Sequence, residues 1–202
     1  MSETPGTTDP RPVYTRAAEQ MATVFAAVGA EQLGLPTPCT EYDVRALMGH
    51  VIAGAHRVAN AGEGTSSDGP DVPAWTQELP VETLPGAYDE ARRRLSAVWA
   101  DDAQLDALVT VPWGHVPGHV AMAGSVLETV THTWDLTHAI NWEGELDPEL
   151  AEFALAVARQ AVPAEGRGPS PFGEARRAPE GVDAYGRLAA WMGREPGGKG
   201  DA

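Results

Sequence analysis

The sequence predicts an all-α protein, a four-helix bundle with additional short helices. Apolar residues recur at helical spacing through most of the chain, helix-start signals precede several of these runs, and no run alternates apolar and polar residues over strand length. The 202 residues suit one domain with a sizeable core.

The segments can be taken in order. Residues 1–10 and 195–202 are rich in Pro, Gly and small polar residues and read as flexible ends around a single domain, 11–194. The first helix is expected over Arg11–Leu33, stopped by Gly34 and Pro36. Thr40-Glu-Tyr-Asp43 has the form of a capping box and opens a second helix. Its stripe is Val44, Leu47, Met48, Val51, Ile52, Ala55 and Val58. Residues 61–73 read as a loop, and a third helix covers Leu84–Ala100. Asp101–Thr110 reads as acidic and irregular, and 111–119 as turn-rich. A long fourth helix is predicted from Gly118 to Asn141. A fifth starts at Asp147-Pro148, since Pro suits the first helical position. After a loop over 164–179, a last short helix covers Pro179–Gly193.

The fourth helix carries the chemistry. It has no Lys or Arg, and its only acids are Glu128 and Asp135, so it is expected at the centre of the bundle. At ~100° per residue, Glu128, His132 and Asp135 share one stripe, flanked by Ala121, Gly124, Ser125 and Ala139. Such a stripe is either the wet face of an amphipathic helix or the floor of a pocket, and its small residues favour the floor. Glu128 and His132, one turn apart, can close on one metal ion. A histidine from a second helix would complete a set of two nitrogens and one oxygen, which leaves coordination positions open for chemistry. His50, at the edge of the second helix's apolar stripe, can be that histidine or a partly buried residue bonded to a carbonyl. His56 is expected in solvent, His115 and His119 at a pocket rim or without a role, and His138 in a structural role. Asp135 is expected beside the ligands rather than among them.

Charge and cysteine content narrow the classes. A formal net charge of −15 repels nucleic acid. There is no basic amphipathic stretch for a membrane surface, no apolar run of spanning length and no signal-peptide pattern. The single cysteine, Cys39, excludes an internal disulfide and points to a cytoplasmic setting. Oligomeric state is not legible, and a homodimer is compatible with the sequence.

Thr37-Pro-Cys-Thr-Glu-Tyr-Asp-Val-Arg-Ala-Leu-Met-Gly-His50 resembles the opening block of actinobacterial DinB-like metal-binding proteins, the superfamily of the N-terminal domain of mycothiol-dependent maleylpyruvate isomerase. Val111-Pro-Trp-Gly114 and Glu128-x-x-x-His132-x-Trp134-Asp135-Leu136 resemble the second block. Phe172-Gly173, Arg187-Leu188 and Gly193-Arg194-x-Pro196 are similar to the ending of a single-domain subgroup. Tyr42 stands where that family usually has Trp, and a single domain without the second domain of the isomerases is expected. The resemblance implies a four-helix bundle with a divalent metal on His50, Glu128 and His132. Zinc suits these ligand types best, with nickel, iron or manganese compatible.

The resemblance also implies a thiol cofactor, mycothiol, and a transferase or isomerase acting on a small electrophile. The alternatives are a non-catalytic metal-binding or sensor module and a metal-dependent hydrolase with Asp135 or His138 as base. For a thiol site, loops 61–73 and 111–118 are the expected walls, and Arg45, Arg57 and Arg92–Arg94 the expected cationic rim. Cys39 is expected as a small buried apolar residue away from the ligand face.

Overall fold

The computed structural model describes residues 9–167 and 172–196, and most of the two segments expected to be flexible ends lies outside these. Four helices form the bundle: α1 (Arg11–Ala26), α2 (Val44–Gly62), α4 (Leu84–Val98) and α6 (Gly118–Ala139). Helix α1 packs on α4 and α6, and α2 packs on the same two from the other side. Short helices α3 (Ala74–Glu78) and α5 (Asp102–Asp106) lie in the connections, and α7 (Pro148–Ala161) packs on α6 and on α8 (Ala184–Trp191). The interior is filled by large side chains, among them Trp99, Tyr14, Tyr88, Phe25 and Met21. No helix of the described residues is long and apolar enough to cross a membrane.

Helix α6 is the central element, as its composition predicts. Val126 and Val130 are fully buried and Leu127 nearly so. It touches α1, α2, α5, α7 and α8. A helix packed on so many sides has little room for the long charged side chains its sequence lacks.

Three boundaries differ from the sequence expectation. Helix α1 ends at Ala26 rather than near Leu33. The N–H groups of Ala27 and Val28 turn to carbonyls three residues back, and Gly29 is extended before a short 3₁₀ turn over Ala30–Gln32. Helix α2 is capped by Asp43, whose carboxylate accepts from the Ala46 N–H at 2.8 Å, and not by Thr40. Residues 36–43 are held as a loop by the Pro36–Asp43 bridge and by Thr37, whose hydroxyl donates to the Cys39 and Tyr42 carbonyls. The Leu33 and Leu35 carbonyls then take two N–H groups at the start of α2, those of Arg45 and Val44. Helix α8 begins at Ala184, after Asp183, which accepts from the Gly186 N–H at 2.7 Å, five residues later than expected.

The region 101–117 is more regular than its sequence reads. Asp101 caps α5 through the Ala103 N–H, and Leu108–Val111 (β1) pairs antiparallel with Gly114–Pro117 (β2). These strands have four residues each, too short for alternation to stand out, with Val109 and Val111 buried and Val116 half-buried against the core. Gly114 at φ 140° supplies the turn that an L side chain would resist.

Candidate metal centre

Packing of α2 against α6 brings His50, Glu128 and His132 to one point. His132 Nε2 lies 3.3 Å from Glu128 Oε2, one helical turn away, and His50 Nε2 lies 3.7 Å from the same oxygen. The two imidazoles meet edge to face with centroids 5.1 Å apart, and Tyr42 stacks on the far side of His50 at 5.0 Å. One ligand atom from each of the three falls within 4.8 Å of the others. His50 Nδ1 is buried with no hydrogen-bond partner.

Behind this cluster lies a second layer. His132 Nδ1 is 2.9 Å from Asp135 Oδ2, and Asp135 is fully buried. Arg194 donates from Nη2 to Asp135 Oδ2 at 2.9 Å and from Nε to Oδ1 at 3.2 Å, and its Nη1 donates to the Met192 carbonyl. Gly193 makes this possible. Its φ of 83° turns the chain after α8, and an added Cβ would meet Gly173 backbone at 2.7 Å.

These contacts set the charges. Burial pulls the His132 imidazolium down, but Asp135 and Glu128 outweigh it and hold the pKa up at about 9. Burial also works against ionised Glu128, yet the His132 and His50 imidazoles beside it push its carboxyl well below the usual range. Asp135 is lowered in the same way, against burial, by His132 and Arg194. Asp135 therefore stays ionised and fixes the proton of His132 on Nδ1 whenever that ring is neutral, which turns a bare Nε2 toward Glu128. Two imidazole nitrogens and one carboxylate oxygen around one point can take a divalent cation, and the donor set leaves positions open on the cleft side.

Cys39 does not lie away from the site, as its place before the helix suggested. The 36–43 loop folds over the bundle end, so that Cys39 comes within 4.8 Å of His132 and Asp135. Burial raises its thiol to about 11, and Asp135 Oδ2 is already shared between His132 and Arg194, so this trio is poorly suited to a cation.

A cleft of about 1340 Å³ opens on the cluster. Asp71 from the 61–73 loop and Pro112 and Trp113 from the hairpin contribute to its walls, as expected, together with Phe153 and Val157 of α7 and Phe172 beyond it. Of the arginines proposed for a rim, only Arg57 lines it. Arg45 is turned away and donates to the Gln77 and Leu79 carbonyls. Arg92 and Arg93 pair with Asp89, and Arg94 with Glu63. They belong to α4, and their acids come from α4 itself and from the end of α2.

The other histidines divide. His56 is half-buried against Trp75, with Nδ1 3.3 Å from Arg94 Nη1, rather than solvated. His115 sits on the hairpin near Thr110 Oγ1, and His119 lines the cleft with Nδ1 3.1 Å from the Leu105 carbonyl. His138 bonds the Trp134 carbonyl through Nδ1 at 2.9 Å and lies over the Trp134 ring, the structural role expected. Sequence reasoning missed Arg167, which lines the cleft and spans the Pro163, Gly173 and Trp191 carbonyls, and the burial of Arg194. Both stand in Gly/Pro-rich stretches without periodicity, and the only signal for Arg194 was its place in the similar C-terminal block.

The profile of the mycothiol maleylpyruvate isomerase N-terminal domain family matches residues 14–137. The uncharacterized protein Rv0738 of Mycobacterium tuberculosis (strain ATCC 25618 / H37Rv) is 34% identical over 193 residues, 92% of this chain and 98% of that protein. The uncharacterized protein MT0763 of strain CDC 1551 / Oshkosh matches equally. The crystal structure of the mycothiol-dependent maleylpyruvate isomerase is similar at a TM-score of 0.62 and 17% identity, over 75% of this chain and 67% of that one. A histidine-to-alanine mutant of that enzyme gives the same TM-score at 16% identity. At this identity the likeness is one of fold.

Proposed function

Because the chain belongs to the mycothiol maleylpyruvate isomerase N-terminal domain family, we propose that it is a divalent-metal-dependent S-transferase that joins mycothiol to a small electrophile. The observation that carries this reading is the convergence of His50, Glu128 and His132 on one point at the floor of an open cleft. The donor chemistry fits the ion: His132 is oriented by Asp135, and Glu128 is held ionised between two imidazoles. Zinc suits two nitrogens and one oxygen, and nickel is the next candidate.

In this reading His50, Glu128 and His132 hold the cation, and Asp135 keeps the His132 Nδ1 proton so that Nε2 remains a ligand. A bound divalent ion would supply Lewis acidity that lowers the pKa of an incoming thiol. The chain offers no reactive thiol of its own, since Cys39 is the only cysteine and burial raises it to about 11. The nucleophilic sulfur therefore comes from the cofactor. Its proton leaves through the open cleft to solvent and its electron pair forms the new carbon–sulfur bond. The electrophile then releases a leaving group with the pair of the bond that breaks or, at an activated double bond, takes the π pair onto the neighbouring carbon, where solvent protonates it. Phe153, Val157 and Trp113 wall the cleft and limit water around the sulfur.

Cobalt substitution tests the reading. Mycothiol added to the cobalt-loaded protein is expected to produce a sulfur-to-metal charge-transfer band, and transfer to an electrophile to follow. Absence of the band at saturating thiol, with cobalt bound, would leave a non-catalytic metal module or a metal hydrolase as the better account.

A further inference from the structure

Trp113 sits in the two-residue turn between β1 and β2, and its indole lies against α6 at Gly124. A Cβ built on Gly124 would come within 3.0 Å of Trp113 Cζ2. Glycine inside a helix costs about 1 kcal/mol relative to alanine, and here its lack of a side chain lets the ring approach. Gly124 is one turn before Glu128, so the indole is placed at the lip of the metal cluster. The ring lines the cleft yet remains 53% exposed, and Val120, one turn earlier on α6, is 39% exposed. Across from them α7 presents Phe153 and Val157 to the same space. A wide aromatic face left bare in a concave site is a surface for an apolar ligand.

The charges in the cleft point the same way. Three arginines line it among the described residues, and each is engaged by the protein. Arg57 donates to the Pro70 carbonyl and faces Asp71 at 3.4 Å. Arg167 holds three carbonyls, and Arg194 is buried on Asp135. Glu41, Asp71 and Glu128 line the same cleft. A dicarboxylate would meet these acids with no unengaged guanidinium to answer its second charge.

The structure assigns to this cleft an uncharged electrophile with an aromatic or alkyl body, stacked on the exposed face of Trp113 and lying against Phe153 and Val157, with its reactive carbon toward His50, Glu128 and His132. The catalytic part of this assignment rests on the S-transferase reading, whereas the apolar preference of the cleft does not.

Two measurements on the full-length, metal-loaded protein test it. The first is titration with N-phenyl-1-naphthylamine, a neutral apolar fluorophore. Saturable binding is expected, weakened about two- to ten-fold in Trp113→Ala, the range of one aromatic contact. It should also weaken in Gly124→Ala, a variant whose thermal midpoint should not fall, because the half-exposed ring can shift and alanine favours the helix. The second compares kcat/KM with mycothiol for 1-chloro-2,4-dinitrobenzene and for maleate, and the neutral compound should be preferred. No saturable dye binding, equal affinity in Trp113→Ala, or preference for maleate would each overturn the assignment. Saturable, Trp113-dependent dye binding without transfer to either compound would uphold the apolar cleft and remove the transferase reading instead.

Discussion

Asp135 and Arg194, 59 positions apart, form a buried ion pair that ties the C-terminal segment to the back of the metal cluster. The aspartate is fully buried and the arginine 4% exposed, and the same carboxylate that accepts from Arg194 also meets His132. The tail after α8 is thus part of the site's support.

Removing one partner of this pair should be costly. Arg194→Met removes the guanidinium and leaves buried Asp135 with His132 as its remaining partner, which should cost up to about 3–5 kcal/mol, and denaturant unfolding should show it. Asp135→Asn tests the link to the metal. If Asp135 orients His132, zinc affinity should fall about 10- to 100-fold under conditions where the variant is still folded. Unchanged affinity alongside lowered stability would make the aspartate a packing residue only.

His132→Ala removes one of three donors and should abolish stoichiometric metal, read as element-resolved metal content after purification and dialysis. Because His132 is almost fully buried, the variant's fold should be checked by circular dichroism. Glu128→Gln, at a half-buried position, is the milder companion. It keeps the shape but loses the charge, and it should weaken metal binding without unfolding. Wild-type metal content in both would remove these residues from the proposed ligand set.

The main helices and the central place of α6 were legible because an amphipathic or wholly buried helix repeats its pattern over many residues, as α2 does from Val44 to Val58. Glu128 and His132 were legible because their relationship is local, one turn on one helix. His50 needed the resemblance, since nothing in periodicity says that α2 turns that edge toward α6. The hairpin was missed because strands of four residues carry too little alternation. Arg194 was missed, and Cys39 was read as buried but placed away from the site, because their environment is made by loops folding back over the bundle end. Gly193 and the Thr37 hydroxyl bonds dictate that geometry, and no spacing rule reads it.

Cys39 should be inert in the native protein. Burial raises its thiol to about 11, so at neutral pH almost none is thiolate, and the side chain is largely out of solvent's reach. Iodoacetamide at pH 7.5 should label it slowly in buffer and readily in denaturant, by intact mass. Rapid native labelling would mean that the 36–43 loop opens, and with it the support behind His132.

His56 gives the protein an acid-sensitive element away from the cleft. Burial lowers its pKa below the usual 6.5, and the neighbouring Arg94 lowers it further. The unfolded chain therefore binds a proton at His56 more readily than the folded one. Stability tied to this residue is fully present above the unfolded value and declines as pH falls from about 6.5 toward the lower folded value. In the folded state neutral Nδ1 faces the Arg94 guanidinium at 3.3 Å, so protonation would place two cations side by side. His56→Gln has no proton to gain and keeps a carbonyl oxygen to accept from Arg94. Its urea midpoint should fall less between pH 7.5 and pH 5.5 than that of the wild type, with the two proteins closest at the higher pH. Equal losses over that interval would show that His56 does not titrate against folding, and that the acid response comes from other groups.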